Sequence, residues 1–109
     1  MKVLKTKKDF INFFDKLPAN RWTEGAFSFY QDGKTKHCAV GFIREQFLDN
    51  EEGESTYNQV KKNFRAAYNV DINVLMDVND DAHKKYNSKK LKLKESNVKG
   101  RVLAYLKKK

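Results

Sequence analysis

A chain of 109 residues has the size of one domain and no room for two independent cores, and its eight Phe, five Tyr and single Trp are enough to build one core, which excludes disorder throughout. No apolar run approaches the roughly 20 residues that cross a bilayer, and Met1 to Phe14 is Lys-rich without a hydrophobic stretch or cleavage site, so a cytoplasmic protein without a membrane partner is expected. Cys38 is the only cysteine, which rules out an internal disulfide and fits a reducing compartment, while the formal net charge of +9 admits anionic partners.

Thr6-Lys7-Lys8-Asp9 resembles a capping box, and Phe10, Phe13, Phe14 and Leu17 follow at i, i+3, i+4 and i+7, so a first helix is expected over about 7–17, ended by Pro18. Trp22 to Tyr30 reads as extended, because Phe27 and Phe29 alternate with Ser28 and Tyr30 before the turn signal Asp32-Gly33; a strand is placed near 26–31. Cys38, Ala39, Phe42, Ile43 and Phe47 recur with helical spacing, giving a second helix over about 38–48. Asp49 to Glu54 is an acidic loop, and Ser55 or Thr56 is the expected cap of a third helix that buries Tyr57, Val60, Phe64, Ala67 and Tyr68. Residues 70–78 fit either a buried strand or a short helix capped by Asp71, and the short helix or turn is preferred. Leu91 and Leu93 alternate with lysines over 90–94 as in a short edge strand, and Ser96 or Asn97 precedes a final helix that buries Val98, Val102, Leu103 and Leu106.

The charge is unevenly spread. Residues 1–8 hold four Lys and no acid, residues 9–83 hold eight basic and thirteen acidic side chains, and residues 84–109 hold eleven basic side chains against Glu95 alone. The body is mildly acidic and both ends are basic. With 19 Lys and only four Arg, the chain is rich in mobile point charges and poor in the planar forks that read guanine, which disfavours sequence-specific DNA recognition. Lys84, Lys85, Lys89, Lys90, Lys92, Lys94, Lys99 and Arg101 are the candidate binding residues, for an acidic protein or for phosphate backbone. Tyr86 and Tyr105 are the only aromatics in that stretch, which weakens a single-strand-binding reading.

Arg21-Trp22-Thr23-Glu24-Gly25-Ala26-Phe27, then Asp32-Gly33, Cys38-Ala39-Val40-Gly41 and Asn79-Asp80 occur in an order that resembles a family of short proteins, a domain of unknown function found in actinobacteria and bacteriophages. Its members show Trp-x-x-Gly-Ala, Cys-Ala-Leu-Gly-Ala and Trp-Asn-Asp elements before a terminal helix, and the resemblance covers about residues 8–106. Val78 stands where the family has Trp, and Phe42 where it has a small residue, which implies a repacked core. The resemblance implies a phage or mobile-element context and carries no activity with it.

Cys38 near a helix N-terminus is the one arrangement with catalytic potential, because unpaired N–H groups there favour a thiolate, and His37, His83, Asn79 and Asp80 could supply a base and its orienting partner. Its spacing with Phe42 and Ile43 argues instead for a small core hydrophobe. Asp77 to Asp81 superficially resembles a calcium loop, but Ala82 stands where Gly is needed and Ser88 where Glu is needed; one Cys and two His make no zinc set. No metal or cofactor is expected.

The expected fold class is α+β, a single small domain over 1–109, mainly helical with about four helices. A short two- or three-stranded sheet uses 26–31 and 90–94, the folded core spans about 7–106, and the basic ends 1–5 and 107–109 fray. The expected function is that of a non-enzymatic protein that occupies a surface of a host or phage protein, for instance as an inhibitor of a host defence nuclease. Non-specific nucleic-acid binding through the Lys-rich C-terminal region is the alternative, and a hydrolase or transferase built on Cys38, His83 and Asp80 a second one.

Overall fold

The computed structural model describes residues 3–25, 28–31, 33–48, 53–94 and 96–109. Helix α1 (Lys7–Asp15) starts on the expected capping box: Thr6 accepts from the Asp9 N–H at 3.2 Å, and the Asp9 carboxylate accepts from the Thr6 N–H at 3.1 Å. Two orphan donors of the first turn are thereby satisfied, and Phe10 and Phe14 enter the core. Pro18 leads into a 3₁₀ turn, Ala19–Arg21.

Strands β1 (Ser28–Gln31) and β2 (Lys34–His37) pair antiparallel, with Ser28 opposite His37 and Gln31 opposite Lys34. Gly33 in the connection has φ +76°, the left-handed conformation that an Asp-Gly turn requires. Ala26 and Phe27 of the strand expected over 26–31 lie outside the described residues, as does Asp32. A parallel bridge joins Trp22 to His37, and the Thr23 N–H donates to the His37 carbonyl at 2.9 Å, so the segment before the hairpin lies along β2.

Helix α2 (Ala39–Ile43) is capped by Cys38 and continues as one wide i→i+5 turn over Arg44–Leu48, so the expected helix over 38–48 is present with a change of pitch. Helix α3 (Gly53–Tyr68) begins at Gly53, ahead of the Ser55 or Thr56 cap expected from the sequence; the loop residues 49–52 are outside the described set. Acidic residues before Ser55 favour a helix N-terminus as readily as a loop, because the macrodipole there is positive. Residues 70–78 resolve into helix α4 (Val74–Asn79). Asp71 does not cap it by side chain; its carboxylate accepts from the Asn73 N–H at 2.8 Å in an Asx turn that leads into the helix.

The edge strand expected over 90–94 does not form, and with it falls the sheet of 26–31 against 90–94. Ser88–Leu91 instead make helix α5, capped by Asn87, whose side-chain oxygen accepts from the Lys90 N–H at 2.9 Å. Lys92 then turns the chain in a left-handed conformation, φ 57° and ψ 43°, and the Leu93 N–H returns to the Ser88 carbonyl at 2.9 Å. A strong Asn cap and an αL exit override the two-residue alternation of Leu91 and Leu93. Helix α6 (Val98–Lys108) starts at the Asn97 cap and packs along α1 and α4.

The fold is mainly helical, and its centre is aromatic. Phe10 meets Phe64 edge-on at 5.2 Å between ring centroids, Phe64 stacks on Tyr68 at 4.7 Å, and Trp22 is held between Phe14 at 5.6 Å and Phe42 at 4.9 Å. Phe42 thus supplies one face of the tryptophan site. Each of these side chains is nearly or fully buried, and such burial contributes about 1.5–3 kcal/mol per large apolar residue.

Candidate functional site

The distinctive sequence pieces converge on one buried junction. Asn79, the last residue of α4, is fully buried; its side-chain oxygen accepts from the Ala39 N–H at 3.0 Å, and its amide donates to the Thr23 carbonyl at 2.8 Å and to Asp80 at 3.0 Å. One side chain therefore ties the start of α2 to the segment after Trp22. The Asp80 carboxylate holds the next link, accepting from the Gly25 N–H at 2.8 Å, where Gly25 has φ +76°. Asn-Asp, Trp-x-x-Gly and Cys-Ala-Val-Gly are three parts of one hydrogen-bonded clasp.

Cys38 sits inside that clasp. Its thiol is 4% exposed, and its sulfur accepts from the Gly41 N–H at 3.3 Å, so it serves as the N-cap of α2. Burial pushes the thiol pKa up against the lowering effect of the Gly41 and Val40 N–H groups, and the nearby Asp80 charge raises it further. A nucleophilic cysteine needs the opposite shift. His37 is turned to Glu45, with Nε2 2.5 Å from the carboxylate, and its ring lies on Phe42 at 5.1 Å. His83 is turned to its own loop: Nδ1 accepts the N–H groups of Lys85 at 3.0 Å and Tyr86 at 3.1 Å. The residues proposed for a Cys38 chemistry are thus spent on holding the fold, and Asp80 opposes thiolate formation.

Arg101 is the second departure from the sequence reading. Its sequence context places it with the surface lysines, but it is fully buried. Its guanidinium donates to the Val78 carbonyl at 3.1 Å, the Asn79 carbonyl at 2.5 Å, Ser88 Oγ at 3.0 Å and Glu24 at 2.6 Å, with Asp81 3.8 Å away. The two carbonyls belong to the last turn of α4, where helix geometry leaves acceptors unpaired, so Arg101 is the side-chain cap of that helix. It offers no surface to a phosphate. The signal was present in the sequence: Arg101 lies three residues after Val98 and four before Tyr105, on the same stripe of α6 that is buried. Glu24 and Ser88, its polar partners, carried no signal of their own.

The remaining cations divide. Lys99 is half-buried and its ammonium donates to the Asp15 carbonyl at 2.9 Å, capping the end of α1. Lys84, Lys85, Lys89, Lys90, Lys92 and Lys94 are all exposed, and among the described residues none of their ammonium groups has a hydrogen-bond or ion-pair partner. They ride on the 82–87 loop, α5 and the αL exit.

Beside them lies an open cleft of about 510 Å³ between the loop at 82–86, α4 and the end of α6. Val70 and Val74 form an apolar wall, Tyr86 and Tyr105 meet edge-on at 4.9 Å within it, and Lys84, Lys85 and Lys109 stand around it with Asp77. Burial lowers the His83 pKa first; Lys85 and Lys109 lower it further and Asp77 acts against them. Among the described residues no group of three or more His, Cys, Asp and Glu side chains could hold a metal ion, and no helix is long and apolar enough to cross a membrane.

Comparison of the chain with protein-family models, with curated proteins and with solved structures finds no match in any of the three.

Proposed function

We propose that this is a non-enzymatic binding protein that occupies an acidic surface of a protein partner through the lysines of residues 84–94. The observation that carries the reading is the division of labour among the polar groups. Cys38, Asn79, Asp80, His83 and Arg101 are engaged in the fold's own hydrogen bonds, whereas Lys84, Lys85, Lys89, Lys90, Lys92 and Lys94 are exposed and their ammonium groups have no ion-pair partner among the described residues. Unpaired point charges on a rigid scaffold steer an oppositely charged partner and set its orientation. The family resemblance gives the context: a phage or mobile-element protein whose partner belongs to the host or the phage, an inhibitor of a host defence nuclease being one concrete form.

Non-specific nucleic-acid binding draws on the same lysines. Two features favour protein. The one arginine of the last 26 residues is buried, leaving no fork for phosphate, and the large exposed hydrophobic side chain among the described residues, Tyr30, belongs to the hairpin and not to the lysine segment.

Lysine-directed cross-linking in the producing cell, read by mass spectrometry, tests the reading. Cross-links from Lys84 to Lys94 onto one protein, with those from the retained Lys92 and Lys94 also lost when Lys84, Lys85, Lys89 and Lys90 are changed to Glu, are the expected result. Recovery of that protein undiminished by charge reversal, or retention on DNA or RNA that falls steeply with salt, would sink it.

A further inference from the structure

Resting on that reading of the lysine segment, we infer that the cleft between Val70, Val74, Tyr86 and Lys109 is the anchor point of the interface, and that it takes an acidic peptide segment with an apolar centre of one or two side chains. Three observations bear on the occupant. The wall of Val70 and Val74 is aliphatic and both residues are half-buried, so part of their surface stays in water until something covers it. Lys84, Lys85 and Lys109, all exposed, stand at the same cleft and bring three positive charges to an apolar patch. An apolar centre with a polar rim is the form of an interface hot spot, and here the rim is predominantly positive, three lysines against Asp77, so the centre supplies affinity and the rim supplies orientation.

The rings explain why the occupant is a peptide rather than a nucleotide. His83, Tyr86 and Tyr105 are already packed on one another, with centroids 5.3 Å apart for His83 and Tyr86, 5.6 Å for His83 and Tyr105, and 4.9 Å for Tyr86 and Tyr105. Tyr105 is buried and Tyr86 half-buried, so the cluster is a floor and not a free stacking platform. Asp77 adds a carboxylate on the side of Val74, so any anionic group of the occupant is confined to the Lys84, Lys85 and Lys109 side. His83 keeps the floor rigid. Its Nδ1 accepts two backbone N–H groups of the loop, which fixes the loop that carries Lys84 and Lys85.

The test uses the full chain, isotope-labelled for NMR, and the peptide acetyl-Asp-Glu-Leu-Phe-Glu-Asp-amide, with a second peptide in which Leu and Phe are replaced by Ser and with a dT oligonucleotide of ten residues. Amide shifts confined to residues 70–86 and 105–109, with affinity falling about tenfold or more either on losing the two apolar side chains or in a K84E/K85E variant, are expected. Equal affinity for both peptides, shifts centred on 89–94, no binding at millimolar peptide, or tighter binding of the oligonucleotide each overturn the cleft assignment. K89E/K90E separates the two levels of the argument. If it abolishes capture of the cellular partner while K84E/K85E does not, the lysine surface stands and the cleft falls; if neither variant matters, both fall.

Discussion

Replacing Arg101 by Met removes a fully buried guanidinium while keeping a long apolar stem, so the change isolates the polar role of the side chain. Three buried acceptors lose their donor: the Val78 and Asn79 carbonyls and Ser88 Oγ. The Val78 carbonyl keeps a long bond from the Asp81 N–H at 3.3 Å, and Ser88 Oγ keeps its own donation to the Lys94 carbonyl, also at 3.3 Å. Each buried acceptor left without its donor costs about 1–3 kcal/mol. The Glu24 carboxylate is 41% exposed and recovers water, so the loss of that ion pair adds at most about 1 kcal/mol. Together R101M is expected to cost about 3–5 kcal/mol, the lower part of what three such losses give, because the Val78 carbonyl keeps a donor. That is a large share of the roughly 5–15 kcal/mol that holds a domain together. Urea unfolding followed by far-ultraviolet circular dichroism measures it, and the thermal midpoint should fall by roughly 15 °C or more. E24Q supplies the internal control at about 1 kcal/mol or less. An R101M variant within about 1 kcal/mol of the parent, or an E24Q variant as costly as R101M, would refute the assignment of Arg101 as the cap of α4.

Gly100 and Asn97 are expected to be coupled: a Cβ at position 100 would stand 2.6 Å from the Asn97 side-chain oxygen that caps α6, so G100A should be near neutral in the parent yet stabilise N97A by about 1 kcal/mol in a double-mutant cycle, because the helix-propensity gain is offset only where a cap can be lost. Burial raises the Tyr68 hydroxyl from its ordinary value of 10 to about 12, and the unfolded chain therefore ionises first: the stability it contributes is intact below pH 10 and is lost as pH rises from 10 to about 12, a slope that Y68F should remove while costing about 1 kcal/mol at neutral pH through its bond to the Leu106 carbonyl. His83 is lowered from 6.5, so its contribution is fully present above pH 6.5 and is lost as pH falls through the folded value; an NMR titration should place the midpoint below 6.5, and K85E should move it upward. Iodoacetamide at pH 8 should leave Cys38 unmodified in the folded protein and label it once urea unfolds the chain, since the thiol is buried and its pKa is raised; rapid labelling of the folded protein would reopen a nucleophilic role.

The helices were legible wherever a cap and an apolar stripe coincided. Thr6 with Asp9 and the Phe10, Phe14 pair place α1, and a cap at Ser96 or Asn97 with Val98, Val102 and Leu106 places α6, where Asn97 is the cap that forms. Both signals are local, and local signals survive in any tertiary context. The segment 90–94 reads as an edge strand because Leu91 and Leu93 alternate with lysines over five residues, a pattern too short to compete with the Asn87 cap and the αL turn at Lys92. The partners of Arg101 were illegible for a different reason. Glu24, Val78, Asn79, Ser88 and Arg101 come from four separate stretches of chain, and no periodicity within one stretch reports that they meet.

That non-local meeting also decides how the candidate site must be understood. Asn79 and Arg101 fasten α4 at two points, one to the start of α2 and the Trp22 segment, the other to α6, and the lysine-bearing loop begins immediately after the fastened end. Asp81 carries the fastening into that loop, because its carboxylate accepts from the Ser88 N–H at 2.6 Å and so sets the start of α5. Lys84 to Lys94 are consequently presented by a segment tied at Asp81 and Ser88 and stiffened by His83, rather than by a loose basic tail. A tail would bind anions with no preference for their arrangement. Lysines held at fixed separations favour a partner whose carboxylates match them, and the ordering entropy of the backbone has already been met in folding. On the proposed reading, the buried clasp contributes to specificity by fixing where the exposed charges stand.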